Sequence, residues 1–144
     1  MPADTAAPAA YVIKTHAPDP QAATFAFTEQ KTMYGGKRLA PGDEIFVFDS
    51  ENEGGRGLVA MGAVTAVEPT PPIPGLARQT PRLSLTVRRT AGSSRPLGRS
   101  ELKPFAQWDD GRPETELNFK LYRQATNKVV GISETAAGFL RGFF

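Results

Sequence analysis

The sequence has no cysteine and one histidine, His16. Without thiols there is no disulfide, no thiolate nucleophile and no cysteine-based zinc site. A Ser-His-acid triad would have to use His16, and no G-x-S-x-G elbow accompanies it. His16 and Asp19 make a poor metal site without a further soft ligand, so neither metal nor cofactor is expected. No apolar run approaches the roughly 20 residues that a membrane span needs. The opening MPADTAAPAA lacks the basic and apolar regions of a secretory signal, so a cytoplasmic location is expected. Lys37 follows Gly36, yet residue 31 is lysine where a nucleotide-binding P-loop needs glycine, and Arg38 replaces its Ser/Thr. Asp109-Asp110 is the obvious carboxylate pair, but D-D-G-R-P reads as a turn. Catalytic chemistry is thinly supplied, and a non-catalytic role is favoured.

Turn residues, by contrast, are plentiful: Gly 14 and Pro 13 in 144 residues, with 40% apolar residues. A chain of this length suits one domain that buries roughly 70% of its unfolded surface. Residues 1–9 read as a disordered Ala/Pro-rich tail and residues 10–144 as the domain. The net charge of +2 is unevenly spread, with residues 1–81 at −3 and residues 82–144 at +5. Arg82, Arg88, Arg89, Arg95, Arg99 and Lys103 stand against Glu101 alone in the segment 82–104. Such a cluster either attracts phosphates or forms a solvated face.

YVIKT (11–15) reads as a first strand. Asp19-Pro20 fits the start of a short helix over 20–24, while Phe25 and Phe27 at period two fit extended chain equally. Pro41-Gly42-Asp43 is a turn, and the continuous apolar run of EIFVFD predicts a strand buried on both faces. ENEGGRG (51–57) and LVAMGAVTAV (58–67) complete a hairpin, with Gly62 marking a bend or bulge. PTPPIPG (69–75) is loop. PRLSLTVRR (81–89) alternates, with Leu83, Leu85 and Val87 inward and Arg82 and Arg88 outward. SELK fits one helical turn and KVVGIS (128–133) a short strand. Ser133 caps a final helix with Ala136, Phe139, Leu140 and Phe143 on one face.

The remaining signal is for binding. Tyr34, Trp108, Phe119 and Tyr122 lie in or beside cationic, amide-rich segments, which suits base stacking with phosphate contact. The chain resembles the EVE branch of the PUA-like superfamily, relatives of YTH and ASCH domains, over roughly residues 10–141. The first strand ends in Lys14, as the family's opening does. Tyr34-Gly35-Gly36-Lys37-Arg38 sits where the family has W-x-G-V-R-N. Leu39 to Phe48 matches its G-D-x-[IV] strand entry, and Gly57 to Val64 resembles G-I-V-G-x-A-x-V. Tyr122-Arg123, Lys128-Val129-Val130 and Phe139-Leu140 parallel its closing strand and helix.

The resemblance implies an α+β pseudo-barrel of five to six short strands with two to three short helices. It also implies binding of nucleic acid, RNA or DNA, with a modified base in an aromatic and polar pocket. The candidate ligand-binding residues are Lys14, Thr15, Tyr34, Gly35, Gly36, Lys37, Arg38, Trp108, Tyr122 and Asn127. The candidate phosphate contacts are Arg82, Arg88, Arg89, Arg95 and Arg99. Two alternatives stand beside this. One is an enzyme on a nucleotide-like small molecule using Asp43, Asp49, Glu51 or His16. The other is a protein-interaction module using the Phe-rich end GFLRGFF.

Overall fold

EIFVFD forms β3 (Glu44–Asp49) and YVIKT lies within β1 (Ala10–Thr15), and both are buried on both faces. The computed structural model describes residues 8–17, 19–51, 54–123 and 127–144. β1 and β3 pair in parallel, Tyr11 opposite Ile45 and Thr15 opposite Asp49. The other strands are β2 (Thr24–Met33), β4 (Gly57–Pro69), β5 (Arg82–Gly92) and β6 (Lys128–Ile132). They close a six-stranded barrel in the order β1-β3-β4-β5-β2-β6. β1, β3 and β5 therefore run towards one end of the barrel, and β2, β4 and β6 start from it.

The alternation within β1 and β3 divides two cores. Tyr11, Ile13, Ile45 and Val47 join Phe25, Phe27, Leu83, Leu85, Val87 and Val129 inside the barrel. Val12, Phe46 and Phe48 face outward and pack against the helices. Those helices are α1 (Arg99–Leu102), α2 (Pro113–Leu117) and α3 (Glu134–Arg141). α2 runs on into a π-helical turn, Asn118–Tyr122. Ser133 caps α3 by accepting the Ala136 N–H, as its position predicts. Asp110 is the turn residue before α2, where its carboxylate accepts from the Arg112 N–H and the Thr115 hydroxyl.

Residues 20–24 do not form a helix; they turn and enter β2. The pairing with β5 slips between Phe27 and Gln30, where Glu29 has φ 49. This bulge inverts the side-chain phase, so Gln30 and Thr32 are buried where apolar residues would have announced the strand. The other expected irregularity is present: the β4–β5 register shifts between Met61 and Gly62. A Cβ on Gly62 would lie 2.4 Å from the Arg88 carbonyl oxygen, so only glycine fits there. The Phe-rich end is packed. Phe143 is buried in the outer core and the Phe144 ring lies 6.0 Å from that of Phe46. Of the two residues whose exposure would favour the protein-interaction alternative, Phe143 is buried and Phe144 half-buried. The expected tail falls mostly on residues 1–7, outside the described residues, but the Ala9 N–H already bonds the Ile132 carbonyl. No helix among the described residues is long and apolar enough to cross a membrane.

Candidate functional site

The barrel end at which β1, β3 and β5 finish gathers the largest share of the expected site residues. Lys14 is the last outward-facing residue of β1, and it is buried. Its Nζ lies 4.4 Å from the centre of the Tyr122 ring, delivered by the π-helical turn, and the Arg99 guanidinium lies 5.7 Å from the same ring. The Tyr122 hydroxyl donates to Glu51 at 2.8 Å, and the other Glu51 oxygen accepts the Arg99 backbone N–H at 2.6 Å. Gly98 leaves room for that carboxylate; a Cβ there would lie 2.5 Å from Glu51 Oε2. Burial, then the Arg99 charge, pull the Lys14 pKa below its ordinary value, with Glu51 pulling the other way. Burial, then Glu51, push the Tyr122 phenol well above its ordinary value. Thr15 and Asn127 close the layer: the Thr15 hydroxyl donates to the Asn127 side-chain oxygen, and the Asn127 N–H to the Lys14 carbonyl. Asn127 adopts φ 64, a left-handed conformation that asparagine tolerates. Asp49 is also occupied, accepting the Ala17 N–H at 3.0 Å.

Next to this layer, the Ser93–Pro96 segment and the Asp19–Gln21 turn enclose a cleft of about 600 Å³. Arg56, Arg89 and Arg95 line it, with Leu58 and Val59 as its apolar floor. Arg89 Nε donates to the Ala22 carbonyl, and the Arg95 guanidinium lies 4.2 Å from the Phe143 ring centre. Sequence reasoning missed Arg56, because nothing local distinguishes an arginine in a glycine-rich hairpin turn.

The other expected residues lie elsewhere. Tyr34 to Arg38 follow β2 at the opposite end of the barrel, with Gly36–Arg38 as a 3-10 turn. The Tyr34 ring faces Lys120 Nζ at 4.8 Å and not the Lys14 layer. The two glycines serve packing. A Cβ on Gly36 would sit 2.2 Å from the Val129 carbonyl oxygen, and Gly35 has φ 84 against Pro8. Trp108 is 78% exposed in the turn before α2 and makes no ring contact among the described residues. Arg82, at the start of β5, donates to the Glu29 carbonyl, and Arg88 is exposed on the outer face of β5. The expected arginines thus split, with Arg89, Arg95 and Arg99 at the gathered end and Arg82 far from it.

The carboxylates that shift, Asp110, Glu116 and Glu134, all shift downward, away from a general acid. Among the described residues no three His, Cys, Asp or Glu side chains are placed to hold a metal ion.

No protein-family model matches the chain, and no curated protein matches it by sequence. Solved structures do match in shape. The DUF55 domain of human thymocyte nuclear protein 1 aligns at TM-score 0.63 and 14% identity, over 92% of this chain and 96% of that one. Human THYN1 in complex with 5-methylcytosine containing DNA aligns at TM-score 0.62 and 14% identity, over 92% and 95%. A Pseudomonas syringae protein aligns at TM-score 0.57 and 17% identity, over 94% and 100%. Identities this low show the fold alone, an α+β pseudo-barrel shared with these structures over at least 92% of the chain.

Proposed function

We propose that this chain is a non-catalytic nucleic-acid-binding domain that engages its ligand at the barrel end where β1, β3 and β5 finish. The observation that carries this reading is an imbalance of charge. Asp49 and Glu51 are spent on internal hydrogen bonds, while Arg56, Arg89 and Arg95 have no carboxylate partner among the described residues. A concave, cationic surface of this kind draws a polyanion. The shared fold with a protein solved on 5-methylcytosine containing DNA supports the class of ligand and makes a modified base in DNA the finer reading. Lys14, Thr15, Tyr122 and Asn127 then form the layer beneath the bound strand and fix the loops that receive it.

The test is fluorescence anisotropy with short single- and double-stranded DNA, with and without 5-methylcytosine, and with the matching RNA, at two salt concentrations. Binding should weaken as salt rises, with a log–log slope of about −0.7 to −0.9 per phosphate neutralised. A preference for the methylated DNA supports the finer reading. Absence of binding to every probe at low salt overturns the proposal.

A further inference from the structure

We infer that the Arg56–Arg89–Arg95 cleft is a phosphate subsite, which rests on the nucleic-acid reading and assigns one chemical group within it. The donors available in the cleft lead to this. Ser93 Oγ donates to the Leu58 carbonyl at 2.9 Å and Ser94 Oγ to the Phe143 carbonyl at 2.8 Å. The backbone N–H groups of the same serines are spent on Val59 and Phe143. Among the side chains of the lining, the donors that remain for a ligand are the guanidinium groups and the Gln21 amide.

Two of the three guanidiniums are held in place. Arg89 is tied through Nε, which leaves both of its terminal nitrogens for a ligand. Arg95 rests on the Phe143 ring, with one nitrogen 3.4 Å from the Gly142 carbonyl. Arg56 approaches from the β3–β4 turn. Arginines drawn from three segments to line one cleft suit a tetrahedral phosphate, which presents oxygens in several directions, better than a flat carboxylate. Among the described residues the lining contains no aromatic, so a base placed there would have no ring to stack on. The cleft therefore takes the backbone of a bound strand, and any base is read elsewhere on the same end. Among the described residues Asp19 is the one carboxylate in the lining, and it opposes the ligand.

The test measures oligonucleotide binding by anisotropy, and inorganic phosphate binding by calorimetry, on wild type, Arg56→Ala, Arg89→Gln and Asp19→Asn. Thermal melts confirm that each variant is folded. Each arginine variant should weaken both ligands about tenfold, as loss of a charge-assisted hydrogen bond does, and reduce the salt slope by about 1. Asp19→Asn retains the side-chain oxygen that accepts the Gln21 N–H and should tighten both. If wild type binds the oligonucleotide and both arginine variants bind it equally well, the subsite is wrong and the nucleic-acid reading survives. If wild type binds phosphate through these arginines but no oligonucleotide, the subsite stands and the nucleic-acid reading falls. If wild type binds neither, both fall.

Discussion

Glu116 shows how much a single side chain organises here. Its carboxylate accepts the Ser133 N–H at 2.8 Å, the Ser133 hydroxyl and Lys120 Nζ at 3.1 Å, which ties α2 to the start of α3. Burial pushes its pKa up, but the hydrogen bonds from Ser133 and the Lys120 charge outweigh that, and the net shift is below the ordinary value of 4.5. A carboxyl group with a depressed folded-state pKa stabilises the protein above its unfolded value, and that stability is lost as pH falls through the folded value. Urea melts should show wild type losing stability below about pH 4.5, and Glu116→Gln should flatten this loss. At neutral pH the substitution should cost about 2 kcal/mol, the worth of hydrogen bonds to a charged group. Equal acid sensitivity in the two proteins would remove Glu116 from that role.

At the scale of elements, two glycines predict opposite outcomes. Gly138 is exposed in the middle of α3, and a Cβ there meets nothing within 4 Å. Gly138→Ala should stabilise the protein by about 1 kcal/mol, from helix propensity and reduced unfolded-state entropy. Gly36→Ala should destabilise it, because its Cβ would overlap the Val129 backbone of β6. Thermal melts check both; a neutral Gly36→Ala would mean that the turn is free to move off β6. The same elements show where sequence was legible. β3 and β5 announced themselves by continuous and alternating apolar patterns, and both lie where expected. β2 did not, because its bulge at Glu29 breaks the period and its later inward positions are Gln30 and Thr32. The segment carrying Tyr122 is a π-helical turn whose useful property, placing a ring over Lys14, depends on a contact across the fold.

For the whole molecule, strand direction decides which candidate residues can share a ligand. Lys37 and Arg38 leave β2 at the end opposite to the one where Lys14, Thr15 and the cleft arginines gather. The double substitution Lys37→Ala/Arg38→Ala should leave oligonucleotide affinity within about twofold of wild type, since rim charges beyond a Debye length of about 8 Å are screened at physiological salt. Anisotropy measures this, and a tenfold loss would move the binding surface to the Tyr34 end. The sequence by itself determined the strand-rich α+β class, the buried pair of strands β1 and β3, the capped last helix and the resemblance to EVE-like domains. These are local properties, written in hydrophobic period, turn chemistry and residue type. Only the tertiary structure decided that Tyr34 and Trp108 stand apart from Lys14, that Glu51 joins Tyr122 to the Arg99 backbone, and that Arg56 meets Arg89 and Arg95 in one cleft. Those relations follow from barrel closure, strand direction and a bulge, which bring together residues distant in the chain and which no local pattern records.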